Sequence, residues 1–212
     1  MKQRKIASLV FLGCAFLGVA SAELVPIVNA SFETRPSGFP TNVCGGTCAY
    51  TQGGIPIPGW NATGVGYGQV IMGGYQGNPD ATDGLVMAYS QGGTITQDVG
   101  PAVGGTTYLL SVDIMHRTDA AFTGSISLLI GGVTVGTNSG TAPGSGSWGT
   151  FTDTYTASGA DDGKTITIQL SSSGSQGDFD NVTLNATPEP ATVVLFCSAF
   201  AGMALFRRRL VG

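Results

Sequence analysis

Residues able to do covalent chemistry are few in this sequence, and they are scattered. His116 is the only histidine, and it ends an alternating run, as a strand-end or surface residue would. No Gly-x-Ser-x-Gly elbow occurs, so a hydrolase nucleophile has no frame. Cys44 and Cys48 enclose Gly45-Gly46-Thr47, a short flexible spacer that suits a local disulfide in an oxidising compartment. Closing so small a loop removes little chain entropy, so the bond pins a loop rather than supporting the fold. Zinc would need two further ligands that the sequence does not supply. Gly144 to Gly149 spells G-x-G-x-x-G, but a strand-like run follows it, leaving no helix N-terminus for a phosphate. Asp161-Asp162-Gly163 reads as a turn. Carboxylate pairs for glycoside hydrolysis depend on a separation in space that sequence does not give. The remaining set suits ligand binding. Tyr67, Tyr75 and Tyr89 lie in or beside a glycine-rich region as aromatic platforms, and Gln97, Asp113 and Arg117 are hydrogen-bonding candidates on or beside strands.

The elements that must position these residues are strands. Between the two ends of the chain the composition is rich in Gly, Ser and Thr and offers no helical period. Thr107 to His116 alternates, with Tyr108, Leu110, Val112 and Ile114 on one face. Ser125 to Ile130 and Val133 to Thr137 flank Gly131-Gly132, a two-residue hairpin turn. Trp148 to Ala157, Thr165 to Leu170 and Phe179 to Leu184 follow, with Ile166, Ile168 and Leu170 inward. Val25 to Phe32 is expected to open the domain as a strand. Gly84 to Ser90 and Thr94 to Val99 are expected to pair as a hairpin through Gln91-Gly92-Gly93. Trp60 and Trp148 are expected in the core. Together these runs predict an all-β chain: a single jelly-roll β-sandwich of about eight or nine antiparallel strands, flanked by an N-terminal signal helix and a C-terminal transmembrane helix.

Charge separates the ends from the middle. Six of nine basic residues lie in the tails, so residues 23–187 hold three basic residues (Arg35, Arg117, Lys164) against twelve acidic ones, a net charge of −9. Such a domain lacks the positive patches that nucleic acid or anionic lipid requires. At the front, Lys2, Arg4 and Lys5 precede an uncharged apolar run, Ile6 to Val19, and then Ala20-Ser21-Ala22. This is the order of a secretory signal peptide, residues 1–22, removed by signal peptidase. At the back, Pro188-Glu189-Pro190 precedes an uncharged segment, residues 191–206, and then Arg207-Arg208-Arg209. Sixteen helical residues span about 24 Å, close to a hydrocarbon core of ~30 Å once arginines snorkel.

The order Pro-Glu-Pro, short span, arginine cluster resembles the PEP-CTERM sorting signal, here residues 188–212. The resemblance implies an exosortase-type transpeptidase as partner and transient anchoring in the inner membrane. The protein is then expected at the cell surface or in an extracellular matrix containing exopolysaccharide. Inside the domain, Asn29-Ala30-Ser31-Phe32-Glu33 and Phe179-Asp180-Asn181-Val182 resemble the first and last strands of jelly-roll carbohydrate-binding modules. Ile57-Pro58-Gly59-Trp60, Gly93 to Gln97 and Trp148 fall between them in the order of those modules. That resemblance implies a structural calcium ion bridging the two ends, with Glu33 and Asp180 as side-chain ligands and a backbone carbonyl near Asn29 or Ser31. It also implies polysaccharide binding without catalysis. A jelly-roll enzyme, glycan-acting or cyclase-like, and a purely structural matrix protein stand as alternatives.

Overall fold

The computed structural model describes residues 21–51, 53–64 and 66–189. The expected signal peptide lies outside them except for Ser21 and Ala22, and the expected span over residues 191–206 and the arginine cluster lie wholly outside. No helix among the described residues is long and apolar enough to cross a membrane.

Thirteen strands are described. They are β1 (Glu23–Leu24), β2 (Asn42–Gly45), β3 (Cys48–Tyr50), β4 (Asn61–Thr63), β5 (Tyr67–Ile71), β6 (Met87–Ser90) and β7 (Thr94–Pro101). After these come β8 (Thr106–His116), β9 (Phe122–Ile130), β10 (Val133–Gly140), β11 (Ser147–Thr156), β12 (Thr165–Gly174) and β13 (Gly177–Pro188). The larger sheet runs β11-β8-β13-β6-β5-β3-β2, with β1 also on β13; the smaller runs β10-β9-β12-β7-β4. All pairings are antiparallel, and the two sheets make the β-sandwich that the alternating runs predict.

The core forms where the inward positions of both sheets meet. Tyr108, Leu110, Val112 and Ile114 of β8 face Ile126 and Leu128 of β9 and Ile166, Ile168 and Leu170 of β12, all buried. Phe179 and Trp60 close the same cluster, and Trp60 packs on Phe32 with ring centroids 5.3 Å apart. Gly131 and Gly132 adopt φ of 58° and 78°, as the two-residue turn between β9 and β10 requires.

Several expectations are corrected. Residues 25–32 do not form a strand, because Asn29 and Phe32 take left-handed φ of 53° and 58° and fold the segment into turns. Gly84–Ser90 and Thr94–Val99 are not a hairpin. β6 pairs with β5 and β13 in the larger sheet, while β7 pairs with β4 and β12 in the smaller, so Gln91-Gly92-Gly93 carries the chain between sheets. The strand count exceeds eight or nine because the glycine-rich stretch contributes β2, β3 and β4. Trp148 lies outside the main core: it is half-buried on the outer face of the larger sheet and donates its Nε1–H to the Asp80 carbonyl at 2.8 Å.

Ile168→Ala should therefore lower unfolding free energy by about 2–5 kcal/mol in a urea titration. Val133→Ala, at a 66% exposed position, should change it by under about 0.5 kcal/mol.

Candidate functional site

Strands alternate, so residues between the core positions of the larger sheet must face outward. On β5 and β6 these are Val70, Met87 and Tyr89. With Met72 beyond β5 and Met115 of β8 they form a second apolar cluster, against which Tyr50 and Trp148 pack. Glycine at 68 allows the arrangement: a Cβ there would stand 2.7 Å from Tyr89 Cε1 and 2.9 Å from its hydroxyl. The Tyr89 hydroxyl donates to the Thr51 carbonyl at 2.6 Å. Burial, with Tyr50 and Asp178 nearby, pushes its pKa up to about 12, so it remains a phenol.

Over this face lies a cavity of about 340 Å³. Tyr50, Tyr75 and Tyr89 contribute aromatic surface, Val70 and Met72 apolar surface, and Arg117, Gln91 and Gln176 polar ends. The Cys44–Cys48 disulfide forms part of its rim. Thr47, within the disulfide loop, donates its hydroxyl to the Gly73 carbonyl at 3.0 Å, which ties the loop to the turn carrying Tyr75.

Behind the cavity is a partly buried ion cluster. Arg117 Nη2 and Nε donate to Asp119 at 2.7 and 3.0 Å, and Nη1 donates to Asp178 at 3.2 Å. Asn78 completes Asp119 at 2.8 Å, and Gln176 completes Asp178 at 2.7 Å. Burial opposes the charge on Arg117, yet its two carboxylates hold its pKa above the ordinary value. Burial likewise opposes ionisation of Asp119, but the bonds from Arg117 and Asn78 win and its pKa falls. Asp178 is fully enclosed; there burial outweighs Arg117 and pushes the pKa up to about 6.

Of the six ligand candidates, Tyr75, Tyr89 and Arg117 meet at the cavity. Tyr67 does not, because its position on β5 alternates inward and it packs on the main core. Gln97 sits on the smaller sheet, where its amide bridges Val28 and Gly59 at 2.7–2.9 Å. Asp113 accepts from Thr150 at 2.6 Å and Asn181 at 3.2 Å, away from the cavity lining. Sequence reasoning missed Tyr50, Met72, Asp119 and Asp178. Only Asp178 carried a signal, since Gly177-Asp178-Phe179-Asp180 alternates with Phe179 inward.

Glu33 and Asp180, the expected calcium ligands, both face the loop before β6. Glu33 Oε1 accepts from the backbone N–H of Leu85 and Val86 at 2.7 and 2.6 Å. Asp180 Oδ2 accepts from Thr82 and Asp83 N–H at 2.7 and 2.9 Å and from the Thr82 hydroxyl at 3.0 Å. Asn29 is committed elsewhere: its carbonyl accepts from Trp60 Nε1 and Phe32 N–H, and its Oδ1 accepts from Thr34 N–H. Ser31 lies beside Asp83 and Asn181 in a second hollow. No group of three or more His, Cys, Asp or Glu side chains gathers among the described residues.

A family model described as HpiC1 cyclase, HpiC1-like, matches residues 23–185. A second, the PEP-CTERM protein-sorting motif, matches residues 186–209 and implies export with a membrane-anchored sorting signal. No curated protein matches the chain. Among solved structures, the Stig cyclase Fisc from Fischerella sp. TAU, in complex with (3Z)-3-(1-methyl-2-pyrrolidinylidene)-3H-indole, is 22% identical with a TM-score of 0.63. That match covers 79% of this chain and 99% of the cyclase. A cyclase from the same organism, in complex with 4-(1H-indol-3-yl)butan-2-one, is 23% identical with a TM-score of 0.63, covering 78% and 98%. The CBM22-1 xylan-binding domain of Paenibacillus barcinonensis Xyn10C is 12% identical with a TM-score of 0.47, covering 80% and 98%.

Asp178 makes stability depend on pH in a defined sense. Its folded pKa of about 6 lies above the ordinary value of 3.8, so between those values the folded chain holds a proton that the unfolded chain releases. Stability must then fall as pH rises across that window. Asp180, also pushed up to about 6 by burial, acts in the same direction. Asp119 and Asp161, both held low, act oppositely, but below that window. Asp178→Asn should remove roughly half of the loss between pH 4 and 7, on the order of 2 kcal/mol, as read from urea midpoints at each pH.

Proposed function

The chain belongs to the HpiC1-like family, and on the sandwich of that family we propose that the tyrosine-lined cavity binds saccharide units of an extracellular polysaccharide without altering them. The observation that carries this reading is the cavity itself: three tyrosines beside polar ends of Arg117, Gln91 and Gln176, in a protein bearing an export signal. A sugar ring presents apolar C–H faces and a rim of hydroxyls, which match aromatic surface and amide or guanidinium donors respectively. An exosortase-type transpeptidase is the partner for the tail, and the cell surface or extracellular matrix is the destination.

A cyclase-like reaction is the second reading, favoured by the family match and by Asp178, whose pKa near 6 suits a proton donor. Both of its carboxyl oxygens accept hydrogen bonds, from Arg117 and Gln176, and it is fully enclosed. That favours binding over proton transfer to a ligand.

A structural calcium ion is a separate proposal. Asp180 is buried, and no basic side chain among the described residues pairs with it, a setting in which a cation would offset the charge. Glu33 Oε2 and Asp180 Oδ1, the latter already accepting from the Asn181 N–H at 2.8 Å, would hold it, and the hard oxygen donors fit the ion.

Tyr75→Ala and Tyr89→Ala should each weaken oligosaccharide binding by about tenfold or more in calorimetry, consistent with lost ring contacts. The full chain in a non-glycosidic detergent is the sample, and exposed Asp98→Asn should leave binding unchanged. Affinity that ignores both tyrosines would place the ligand elsewhere, and conversion of a small substrate, abolished by Asp178→Asn, would establish the second reading. Calcium added to chelator-treated protein should raise the melting temperature by several degrees, and Glu33→Gln should remove the shift; an indifferent melting temperature rejects the ion.

A further inference from the structure

Resting on the saccharide-binding reading, we propose that the Cys44–Cys48 disulfide is a redox latch on the cavity wall. Oxidised, it holds Tyr75 where a ligand meets it. Reduced by a dithiol, it releases that part of the wall and binding weakens, while the sandwich stays folded. Both cysteines line the cavity, so the bond belongs to the surface it controls. Few other contacts hold the tip of this hairpin. β2 is the outer strand of the larger sheet and pairs with β3 alone. β3 meets β5 through two residue pairs, Ala49 with Ile71 and Tyr50 with Val70. The base of the ribbon is fixed at Thr51, whose N–H donates to the Gln69 carbonyl at 2.9 Å. Its turn is Gly45-Gly46-Thr47, with Gly45 and Gly46 at φ of 121° and 60°. A two-stranded ribbon this short has little stability of its own, and glycines in its turn leave it many conformations once the cross-link is gone.

A physical path leads from the bond to the Tyr75 ring. The Thr47 hydroxyl donates to the Gly73 carbonyl at 3.0 Å. That approach needs glycine at 73, since a Cβ there would stand 2.7 Å from Thr47 Cβ. Gly73 and Gly74, both at left-handed φ, lead directly into Tyr75. The ring itself lies against the disulfide loop, where a Cβ on Gly45 would be 3.8 Å from Tyr75 Cε2. The far end of the Tyr75 turn has its own anchor: the Asn78 amide accepts from the Thr118 N–H and donates to Asp119, each at 2.8 Å. Opening the latch therefore frees the turn at one end only, which displaces Tyr75 without unfolding the domain.

The bond is open to a reductant on one side. Cys48 is 2% exposed, whereas Cys44 is half-buried between exposed Val43 and Gly45. A thiolate of the dithiol attacks the Cys44 sulfur, the S–S bond breaks, and the Cys48 sulfur leaves with the electron pair and takes a proton. The second thiolate of the reductant then displaces the Cys44 sulfur, which is protonated in turn. The dithiol ends as a cyclic disulfide and the protein as two thiols, so two electrons and two protons pass to the protein.

Hydrogen–deuterium exchange of the full chain, in a non-glycosidic detergent, reports on the latch without any ligand. The N–H groups of Tyr75, Gly77 and Asn78 are bonded within the turn, so its loosening is visible. Dithiothreitol should speed exchange about tenfold or more over residues 44–48 and 73–78, while β8 and β12 stay within about twofold. Cellohexaose, chitohexaose and xylohexaose serve as neutral probes in calorimetry. Whichever of them binds the oxidised protein should bind the reduced protein about tenfold or more weakly, and a glutathione disulfide buffer should restore the affinity. The double variant Cys44→Ser, Cys48→Ser should match the reduced protein in both readouts and ignore dithiothreitol, although Cys14 and Cys197 remain. Thr47→Val removes the tie to Gly73 and keeps the bond, so it should speed exchange over 73–78 and weaken binding with the disulfide intact. If the double variant does not fold, Thr47→Val and the reduction and reoxidation of the natural chain carry the test. Exchange over 73–78 indifferent to reduction, probe affinity kept within about twofold, or a double variant that still responds to dithiothreitol would each overturn the latch and leave saccharide binding intact. Failure of all three probes on the oxidised protein would instead reject the saccharide reading, and exchange would still decide whether the disulfide holds the wall.

Discussion

Everything at the site depends on the period-two alternation of β13 at its first residues. Phe179 points between the sheets and is fully buried, so Asp178 and Asp180 must point outward. Asp178 anchors Arg117 behind the cavity, and Asp180 accepts the amides of the loop entering β6. One three-residue run thereby links the main core, the ion cluster and the segment that feeds the cavity wall. A register slip of one residue would place two carboxylates in the core and remove Phe179 from it, so core and site are specified together. The strand is central in its sheet, held by β8 on one side and by β6 and β1 on the other, which leaves little room for such a slip.

Local periodicity explains how much of this was legible in the sequence. β8, the β9–β10 hairpin and β12 were readable because each buries alternate residues of one face against the opposite sheet. What was not readable depends on non-local pairing. Gln91-Gly92-Gly93 marks a turn, but its chemistry does not say whether the chain folds back on its own strand or crosses to the other sheet. Here it crosses. Residues 25–32 look strand-like in composition, yet Asn29 and Phe32 adopt left-handed φ that only the surrounding contacts enforce. The Asn29 amide reaches the Thr34 and Pro58 carbonyls, and Gln69 reaches the Phe32 and Thr34 carbonyls, all distant in sequence or across a turn.

The same reasoning separates the ligand candidates that converge from those that do not. Tyr67 and Tyr89 are equally aromatic, but Tyr67 falls on an inward position of β5 and Tyr89 on an outward position of β6. Residue type gave both as platforms; parity within the strand decides between them. Gln97 shows the opposite case of a polar residue spent on structure. It is 6% exposed, and its amide is bonded to the Val28 and Gly59 backbone groups. Arg117 is intermediate, since it lines the cavity while its charge is consumed behind it.

The chain termini impose the last constraint. β1 begins at Glu23, and Glu23 lies opposite Ala186 while Leu24 lies opposite Asn185. The first and last segments of the folded domain therefore share one ladder. The sorting-motif match starts at residue 186, within β13, which continues to Pro188 opposite Thr106. Proline lacks an N–H, so it suits the point where a ladder stops. The domain thus runs into its sorting segment without an intervening spacer, and the backbone pairs that hold the last strand are the ones nearest the motif. The Glu33 and Asp180 contacts to residues 82–86 lie on the other side of the bulge between Asp180 and Thr183. They hold the cavity side of β13 independently of its outgoing end. Whatever happens to the tail, the residues that shape the cavity keep their own anchors.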